Sequence, residues 1–203
     1  MSTRKAPRAT HNQVRNQVRI GGGQWRGRKL SFPDVPGLRP TPDRVRETLF
    51  NWLAPVLAGS RCLDLFAGSG ALGFEAASRG AAEVVLVERD ATVVKALREQ
   101  QQRLAATQIQ IVQADALQFL GGTPRPFDIV LLDPPFGQDL LEAALAALTS
   151  AWLAPTAFIY LEAERAVAAE TLAALLPDGF ELFRSKTAGQ VGYHLARRLA
   201  EPR

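Results

Sequence analysis

Three glycines and four carboxylates stand at positions where a protein chain can hold a small ligand. Residues 62–73, CLDLFAGSGALG, contain the spacing G-x-G-x-x-G at Gly68, Gly70 and Gly73 after an apolar run. Glycines in such a turn let the backbone approach a cofactor closely. Ligands of parallel sheets bind at the carboxyl ends of the strands, although a single acid there is often only a helix N-cap. The acids predicted to lie at this rim are Asp64, Glu88, Asp115 and Asp133.

The acids distinguish between two adenosine cofactors. Glu88, 18 residues after Gly70, can accept hydrogen bonds from ribose hydroxyls of NAD and S-adenosylmethionine alike. Asp64 favours S-adenosylmethionine, because an acid beside the glycine-rich turn repels a pyrophosphate and attracts the ammonium group of a methionine. Asp115 and the N–H of Ala116 fit an adenine ring. The predicted cofactor-binding residues are Asp64, Phe66, Gly68, Gly70, Glu88, Asp115 and Ala116.

The segment DPPF, residues 133–136, indicates methyl transfer to an exocyclic amine. The lone pair of such a nitrogen is delocalised into its ring, so two acceptors must hold the amine in line with the methyl group. Asp133 supplies a carboxylate oxygen, and Pro134 a main-chain carbonyl that the proline pair keeps out of helical pairing. Phe136 offers a ring on which an extruded base can stack. The alternative is a plain strand exit with Phe136 in the core.

The elements that must position these residues alternate between strands and helices. Thr41 is predicted to cap a leading helix over residues 42–53, with Pro42 at its first position and Pro55 after its end. Helical stretches near 71–79, 91–105, 138–149 and 166–176 separate five buried strands, so the sheet is predicted to be mainly parallel. Residues 180–199 read as a terminal antiparallel hairpin. The strands are Arg61 to Phe66, Glu83 to Glu88, Ile109 to Val112, Asp128 to Asp133 and Ala157 to Leu161.

The amino-terminal part of the chain is strongly basic. Residues 1–40 contain nine basic residues and one acid, although the net charge of the whole chain is only +4. Such an arm is typical of polyanion binding, since neutralised phosphates release counterions, and the alternative is a solvated tail. Two short runs around a glycine-rich turn predict a small hairpin that carries Trp25. We therefore expect residues 1–38 to form an RNA-contacting arm and hairpin, and residues 39–203 to form the main domain.

Composition excludes several other kinds of site. Cys62 is the single cysteine and lies in an apolar run, so neither a disulfide nor a nucleophile is expected. With only two histidines, no metal site is expected. The charged amino terminus and the absence of a long apolar run predict a cytoplasmic protein with no membrane contact.

Four segments together resemble the RsmD-type enzymes of bacteria, which methylate the N2 of a guanine in small-subunit ribosomal RNA. These segments are RPTPDRVRETLFNWL, LDLFAGSGALGFEAASRGA, VLVERD and DIVLLDPPF. The resemblance implies a class I (Rossmann-like) methyltransferase fold of seven strands, S-adenosylmethionine as donor, and 16S rRNA within the small ribosomal subunit or its precursor as substrate. It implies that Asp133, Pro134 and Phe136 hold the target amine, and we expect a monomer. The candidate RNA-binding residues are Arg15, Arg19, Trp25, Arg26, Arg28, Lys29, Arg39 and Arg46.

Four other functions remain open from the residues. A DNA adenine-amine methyltransferase shares the tetrapeptide but usually carries a separate recognition domain. A protein glutamine methyltransferase usually has Asn at the position of Asp133 and leaves the basic arm unexplained. An NAD-dependent oxidoreductase shares the glycine-rich turn, and a non-catalytic RNA-binding module would have no use for the set of acids.

Overall fold

Nine strands form two sheets in the computed structural model, which describes residues 16–137 and 139–199. The strands are β1 Asn16–Arg19, β2 Lys29–Phe32, β3 Arg61–Asp64, β4 Glu83–Glu88, β5 Ile109–Gln113, β6 Phe127–Leu132, β7 Leu153–Glu164, β8 Phe180–Ala188 and β9 Val191–Arg198. Strands β1 and β2 pair as an antiparallel hairpin. The other seven form one sheet in the order β5-β4-β3-β6-β7-β9-β8. The predicted fold, with its seven-stranded sheet and amino-terminal hairpin, is confirmed.

The order of the strands reverses beside β3, and this places a crevice at their carboxyl ends. Strands β3, β4, β5, β6 and β7 run parallel. At one edge β9 pairs antiparallel with β7, and β8 pairs antiparallel with β9. The central strands β3, β4 and β6 are buried on both faces, which explains their nearly continuous apolar sequences. In an open sheet of this type, the crevice at the switch point is the usual ligand site.

Six α-helices cover the two faces of the sheet within the described residues. They are α1 Asp43–Leu57, α2 Ala71–Ser78, α3 Ala91–Leu104, α4 Ala116–Leu120, α5 Leu140–Ala147 and α6 Ala169–Leu175, with a 3-10 turn at Ser150–Trp152. The short helix α4 was not predicted, because five residues are too few to display a helical period. Within these residues no helix combines the length and the hydrophobicity needed to cross a bilayer.

The leading helix differs from the predicted span of 42–53. Pro42 stands at the N-cap position without a side-chain cap, and the hydroxyl of Thr41 is engaged elsewhere, so the predicted capping role of Thr41 is wrong. The helix also continues through Pro55 to Leu57. Pro55 is exposed and only two helical residues follow it, so its missing N–H removes one hydrogen bond near the end of the helix.

The amino-terminal hairpin packs into the main hydrophobic core. Val18, Ile20, Leu30 and Phe32 are buried in the same cluster as residues of α1, α2 and α3. Their alternation with exposed residues follows the period of a half-buried strand. The inner face of the hairpin is packed into this core. Its exposed outer face is therefore held at a fixed position relative to the carboxyl ends of the strands of the large sheet.

Candidate active site

Three of the four predicted acids meet at the carboxyl ends of the central strands. Asp64, at the end of β3, pairs with Leu86 of β4 on one side and with Leu131 of β6 on the other. Glu88 and Asp133 lie two residues further along those strands. Since side chains alternate along a strand, all three carboxylates lie on the same side of the sheet.

Asp64 is the most buried of these acids. Its Oδ2 accepts a hydrogen bond of 3.0 Å from the N–H of Gly73, and its Oδ1 has no partner among the described residues. Burial, and then repulsion from Asp133, raise the pKa of Asp64 to about 7. A buried carboxylate with a free oxygen, close to other acids, favours a cationic ligand.

The glycine-rich turn joins Asp64 to Glu88. Gly70 has a φ of 77° and precedes α2, where a Cβ would lie only 2.7 Å from Leu97. The N–H of Gly68 donates to Glu88 Oε2 at 3.0 Å, and the N–H of Asp90 donates to Oε1 at 2.8 Å. These bonds fix the carboxylate of Glu88, and each of its oxygens retains a lone pair for a further donor.

Asp115 caps α4 at the same rim. Its Oδ1 accepts from the N–H groups of Leu117 and Gln118 at 2.9 and 3.3 Å, which is the N-cap role foreseen as the alternative for any single acid. The N–H of Ala114 donates to the Glu88 carbonyl, so Asp115 still follows directly beside β4. The N–H of Ala116 is in the first turn of α4 and has no partner within the helix.

Asp133 lies directly after β6. Its Oδ2 accepts a hydrogen bond of 3.0 Å from the hydroxyl of Thr41, and burial raises its pKa to about 6. Pro134 is buried beyond the last residue of the strand, Leu132, so its carbonyl lies outside the pairing of the sheet. The side chain of Phe136 is 43% exposed, which contradicts the alternative of a core position. A carboxylate oxygen, a main-chain carbonyl and an exposed ring therefore follow one another at this rim.

Two residues that the sequence analysis missed adjoin Asp133. Thr41 was assigned to a helix cap, and its contact with Asp133 spans 92 residues, so no local pattern could reveal it. Glu162 lies on β7, where the register opposes Leu132 with Leu161, and it accepts a bond of 2.6 Å from the Tyr160 hydroxyl. Burial, and then Asp133, raise the pKa of Glu162 to about 8. Its position near a strand end is the same signal that selected the other acids.

Arg46 is a buried structural residue, and its predicted contact with RNA is wrong. Only 3% of the side chain is exposed. Its guanidinium donates to the carbonyl of Thr41 at 3.2 Å, to the carbonyl of Arg19 at 2.7 Å and to Glu75 Oε2 at 3.3 Å. It also forms an ion pair of 2.6 Å with Asp43. Arg46 thus joins the hairpin, the start of α1 and helix α2.

Trp25 is likewise part of the core. It is 8% exposed, and its ring lies 6.5 Å from that of Phe74. Its N–H group in the main chain donates to the hydroxyl of Ser78 at 2.9 Å. The prediction that Trp25 binds RNA is therefore wrong, because the hydrophobic face of the hairpin needs a large side chain to cover α2.

The remaining predicted residues occupy different environments. Phe66 and Gly68 are half-buried, and Gly70 is buried. The exposed basic candidates are Arg19, Arg26, Arg28, Lys29 and Arg39. Arg15 lies outside the described residues.

Replacing Arg46 tests its structural role. We expect Arg46→Leu to lower the free energy of unfolding by about 3 kcal/mol. The carbonyls of Thr41 and Arg19 lose their donor, and the buried Glu75 keeps only Arg79 and the Gly21 N–H as partners. The measurement is urea unfolding at neutral pH, with Arg44→Leu on the exposed face of α1 as the control. Equal stability of the two variants would contradict the proposed network.

Comparison with known proteins identifies the group to which this architecture belongs. A family profile described as Conserved hypothetical protein 95 matches residues 18–197. Ribosomal RNA small subunit methyltransferase D of Escherichia coli strain K12 is 50% identical over 186 residues, covering 91% of this chain and 92% of that protein. A methyltransferase structure from Escherichia coli is 49% identical over 92% of this chain and 100% of that chain, with a TM-score of 0.80.

A more distant structure contains ligands. It is a Thermus thermophilus 16S rRNA N2 methyltransferase in complex with S-adenosylmethionine (AdoMet) and guanosine. It is 26% identical, with a TM-score of 0.70, and the match covers 91% of this chain and 50% of that one. The matches exclude the oxidoreductase and the non-catalytic module. The chain belongs to the RsmD family of S-adenosylmethionine-dependent ribosomal RNA methyltransferases.

Proposed function

We propose that the protein transfers a methyl group from S-adenosylmethionine to the exocyclic N2 amine of a guanine in 16S rRNA. The observation that carries this proposal is the rim after β6, where Asp133 is fixed by Thr41 and followed by Pro134 and the exposed Phe136. S-adenosylmethionine supplies an electrophilic methyl group when bound.

The acids around the glycine-rich turn fit that cofactor. The free, buried Oδ1 of Asp64 can accept from the methionine ammonium group. Glu88 is fixed by backbone N–H groups and keeps lone pairs for ribose hydroxyls, and Asp115 with the Ala116 N–H suits the adenine. The positive charge of the cofactor offsets the mutual repulsion of Asp64, Glu88 and Asp133.

The target amine is held by the segment after β6. Asp133 offers Oδ1 to one N–H bond of the amine, and the Pro134 carbonyl accepts the other. The Oδ2 of Asp133 accepts from Thr41 and keeps a second lone pair for the neighbouring ring N–H of the base. Phe136 stacks on the base. These contacts direct the nitrogen lone pair toward the methyl group, with S-adenosylhomocysteine as the leaving group. The amine becomes more acidic once methylated and then releases its proton to water.

Guanine is the base that fits these acceptors best. Its Watson–Crick edge presents N1–H and N2–H donors side by side, and one carboxylate can accept both, whereas adenine presents a donor beside an acceptor. The Thermus thermophilus relative, which methylates N2 and binds guanosine, supports the same choice.

The proposed substrate is 16S rRNA assembled into the small ribosomal subunit or its precursor, and the proposed form of the enzyme is a cytoplasmic monomer. The relatives named as small-subunit rRNA methyltransferases support the RNA. The exposed residues Arg26 and Arg28 of the hairpin, and Arg39 in the segment before α1, are proposed to contact phosphates without selecting a sequence.

Labelled cofactor tests the reaction directly. Small subunits assembled from unmodified transcript, and the matching naked RNA, are incubated with methyl-labelled S-adenosylmethionine and digested to nucleosides. We expect label in N2-methylguanosine. After the labelled guanine has been mapped, replacing it by inosine, which lacks the N2 amine, should abolish the label. Label in methyladenosine, or label that survives the inosine replacement, would contradict the proposal.

A further inference from the structure

A groove between the amino-terminal hairpin and the start of α1 opens next to the proposed catalytic rim. We call it the hairpin groove, and its volume is about 400 Å³, which accommodates a nucleotide-sized group. One of its walls is Thr41, whose hydroxyl is bonded to Asp133 on the other side. The groove is lined by Gln17, Val18, Arg19, Lys29, Pro40, Thr41, Pro42 and Asp43.

Two cations face each other across the hairpin in this groove. Arg19 of β1 is directly opposite Lys29 of β2 in the strand register, and both side chains are exposed. Directly opposed like charges destabilise an antiparallel pair. An anion bound between them would remove this repulsion, and neither β1 nor β2 carries a carboxylate.

The negative charge of the groove is already neutralised. Asp43 lines it, and its carboxylate pairs with Arg46 at 2.6 Å. The groove therefore presents a net positive charge from Arg19 and Lys29, on a wall that leads to Thr41.

The hairpin holds these cations in place without a ligand. Arg46 donates to the main-chain carbonyl of Arg19, and Arg103 donates to that of Lys29. Gln100 donates to the carbonyl of Ser31 at 3.2 Å. Both strands are thus fastened to the main domain through their backbones, and the side chains of Arg19 and Lys29 have no hydrogen bond or ion pair with another described residue.

We propose that the hairpin groove binds the sugar-phosphate next to the target guanosine, with Arg19 and Lys29 sharing one phosphate. This proposal rests on the proposed function, because the extruded base must reach Asp133 while the sugar-phosphate backbone of that nucleotide stays outside the catalytic site. A flanking phosphate held beside Thr41 limits the base to positions near the Asp133 carboxylate. Arg19 and Lys29 are therefore assigned to one specific phosphate rather than to general attraction.

Charge neutralisation tests this assignment. Arg19→Gln, Lys29→Gln and the double variant are compared in RNA binding, with S-adenosylhomocysteine present, at several salt concentrations. Each single change is expected to weaken binding about 10-fold, as for loss of one charged hydrogen bond. The double variant should lose less than the product of the two single effects, and its salt slope should fall by about 0.7, as for one phosphate.

Stability and a matched control exclude an indirect effect. The three variants should unfold at the same temperature as the wild type or higher, because the opposed charges are removed. The control is Arg125→Gln, whose side chain pairs with Glu83 at the amino ends of β4 and β6, the end of the strands away from Asp133, and which should leave RNA binding unchanged. Two results would overturn the shared phosphate. One is RNA binding weakened no more than in this control, and the other is a double variant whose loss of affinity equals the product of the two single losses.

A modified RNA locates the phosphate. Methylphosphonate is introduced 5′ or 3′ of the mapped guanine, one position at a time. One of the two should weaken binding by the wild type and have little effect on the double variant, and equal sensitivity of both proteins at both positions would overturn the proposal. Because binding does not depend on which atom is methylated, failure here is distinguishable from a failure to find N2-methylguanosine in the nucleoside digest.

Discussion

Asp133→Asn is expected to lower kcat for methyl transfer by about 10²–10³-fold, the usual loss when one preorganised transition-state hydrogen bond is removed. The amide retains the shape and can still meet the Thr41 hydroxyl, but it offers an N–H group or a weaker acceptor to the target amine. Binding of S-adenosylmethionine should change far less than kcat, because Asp133 contributes only its charge, and no proposed hydrogen bond, to the cofactor site. Calorimetric cofactor binding and single-turnover methylation of the same RNA separate these effects.

The pH dependence of the wild type gives an independent check on the same residue. Burial raises the pKa of Asp133 to about 6, and only the charged form accepts from both guanine donors. With S-adenosylmethionine saturating, so that Asp64 is already charged and occupied, kcat/KM for the RNA should therefore fall as the pH falls through about 6. A near-wild-type rate for Asp133→Asn, together with a flat profile between pH 5 and 7, would contradict the role of this carboxylate.

Thr41 provides a matched pair of variants. Thr41→Val removes the hydroxyl at nearly constant volume, and Thr41→Ser retains it. The lost hydrogen bond stabilised the charged carboxylate, so Thr41→Val should move the acid limb of kcat/KM to higher pH and lower kcat, while Thr41→Ser restores both. A role for Thr41 in packing alone would leave the position of the acid limb unchanged.

The sequence predicted those parts of the fold that depend on local patterns. Apolar runs and helical periods located the strands and most helices, and the order of elements predicted the parallel sheet. The end of the leading helix was wrong because Pro55 is tolerated in an exposed last turn. The sequence rule treats a proline as the end of a helix, but the free-energy cost of a proline within a helix depends on which main-chain carbonyl loses its N–H donor.

The sequence located site residues well where they follow a strand directly. Asp64, Glu88 and Asp133 meet because the ends of adjacent strands necessarily meet. Arg46 and Trp25 could not be assigned correctly, because a basic or aromatic residue in a basic segment has the same local pattern whether it is buried or exposed. Their burial depends on Glu75 and Phe74, which lie far away along the chain.

Asp64→Asn is expected to weaken S-adenosylmethionine binding by at least 30-fold, since loss of one partner of a buried charge pair costs about 2–5 kcal/mol. The amide oxygen can still accept from the Gly73 N–H, so the turn should keep its shape. The group placed at Oδ1, which has no partner among the described residues, becomes an N–H donor that faces the ammonium group. Titration calorimetry with the wild type and Asp64→Asn measures the loss, and Asp178→Asn, at an exposed position between α6 and β8, is the control.

The protonation of Asp64 determines how the stability of the cofactor-free protein depends on pH, and whether cofactor binding takes up or releases protons. Its folded pKa is raised to about 7 from an ordinary value near 3.8, so the folded state binds more protons than the unfolded state between these values. The stability of the cofactor-free wild type should therefore fall as the pH rises from about 4 to 7, and Asp64→Asn should lack this part of the fall. Binding of the cationic cofactor favours the carboxylate, so the wild type should release protons near pH 7, measured as a dependence of the binding enthalpy on buffer ionisation. Equal affinity in Asp64→Asn and equal proton release in both proteins would contradict a carboxylate that holds the methionine ammonium group.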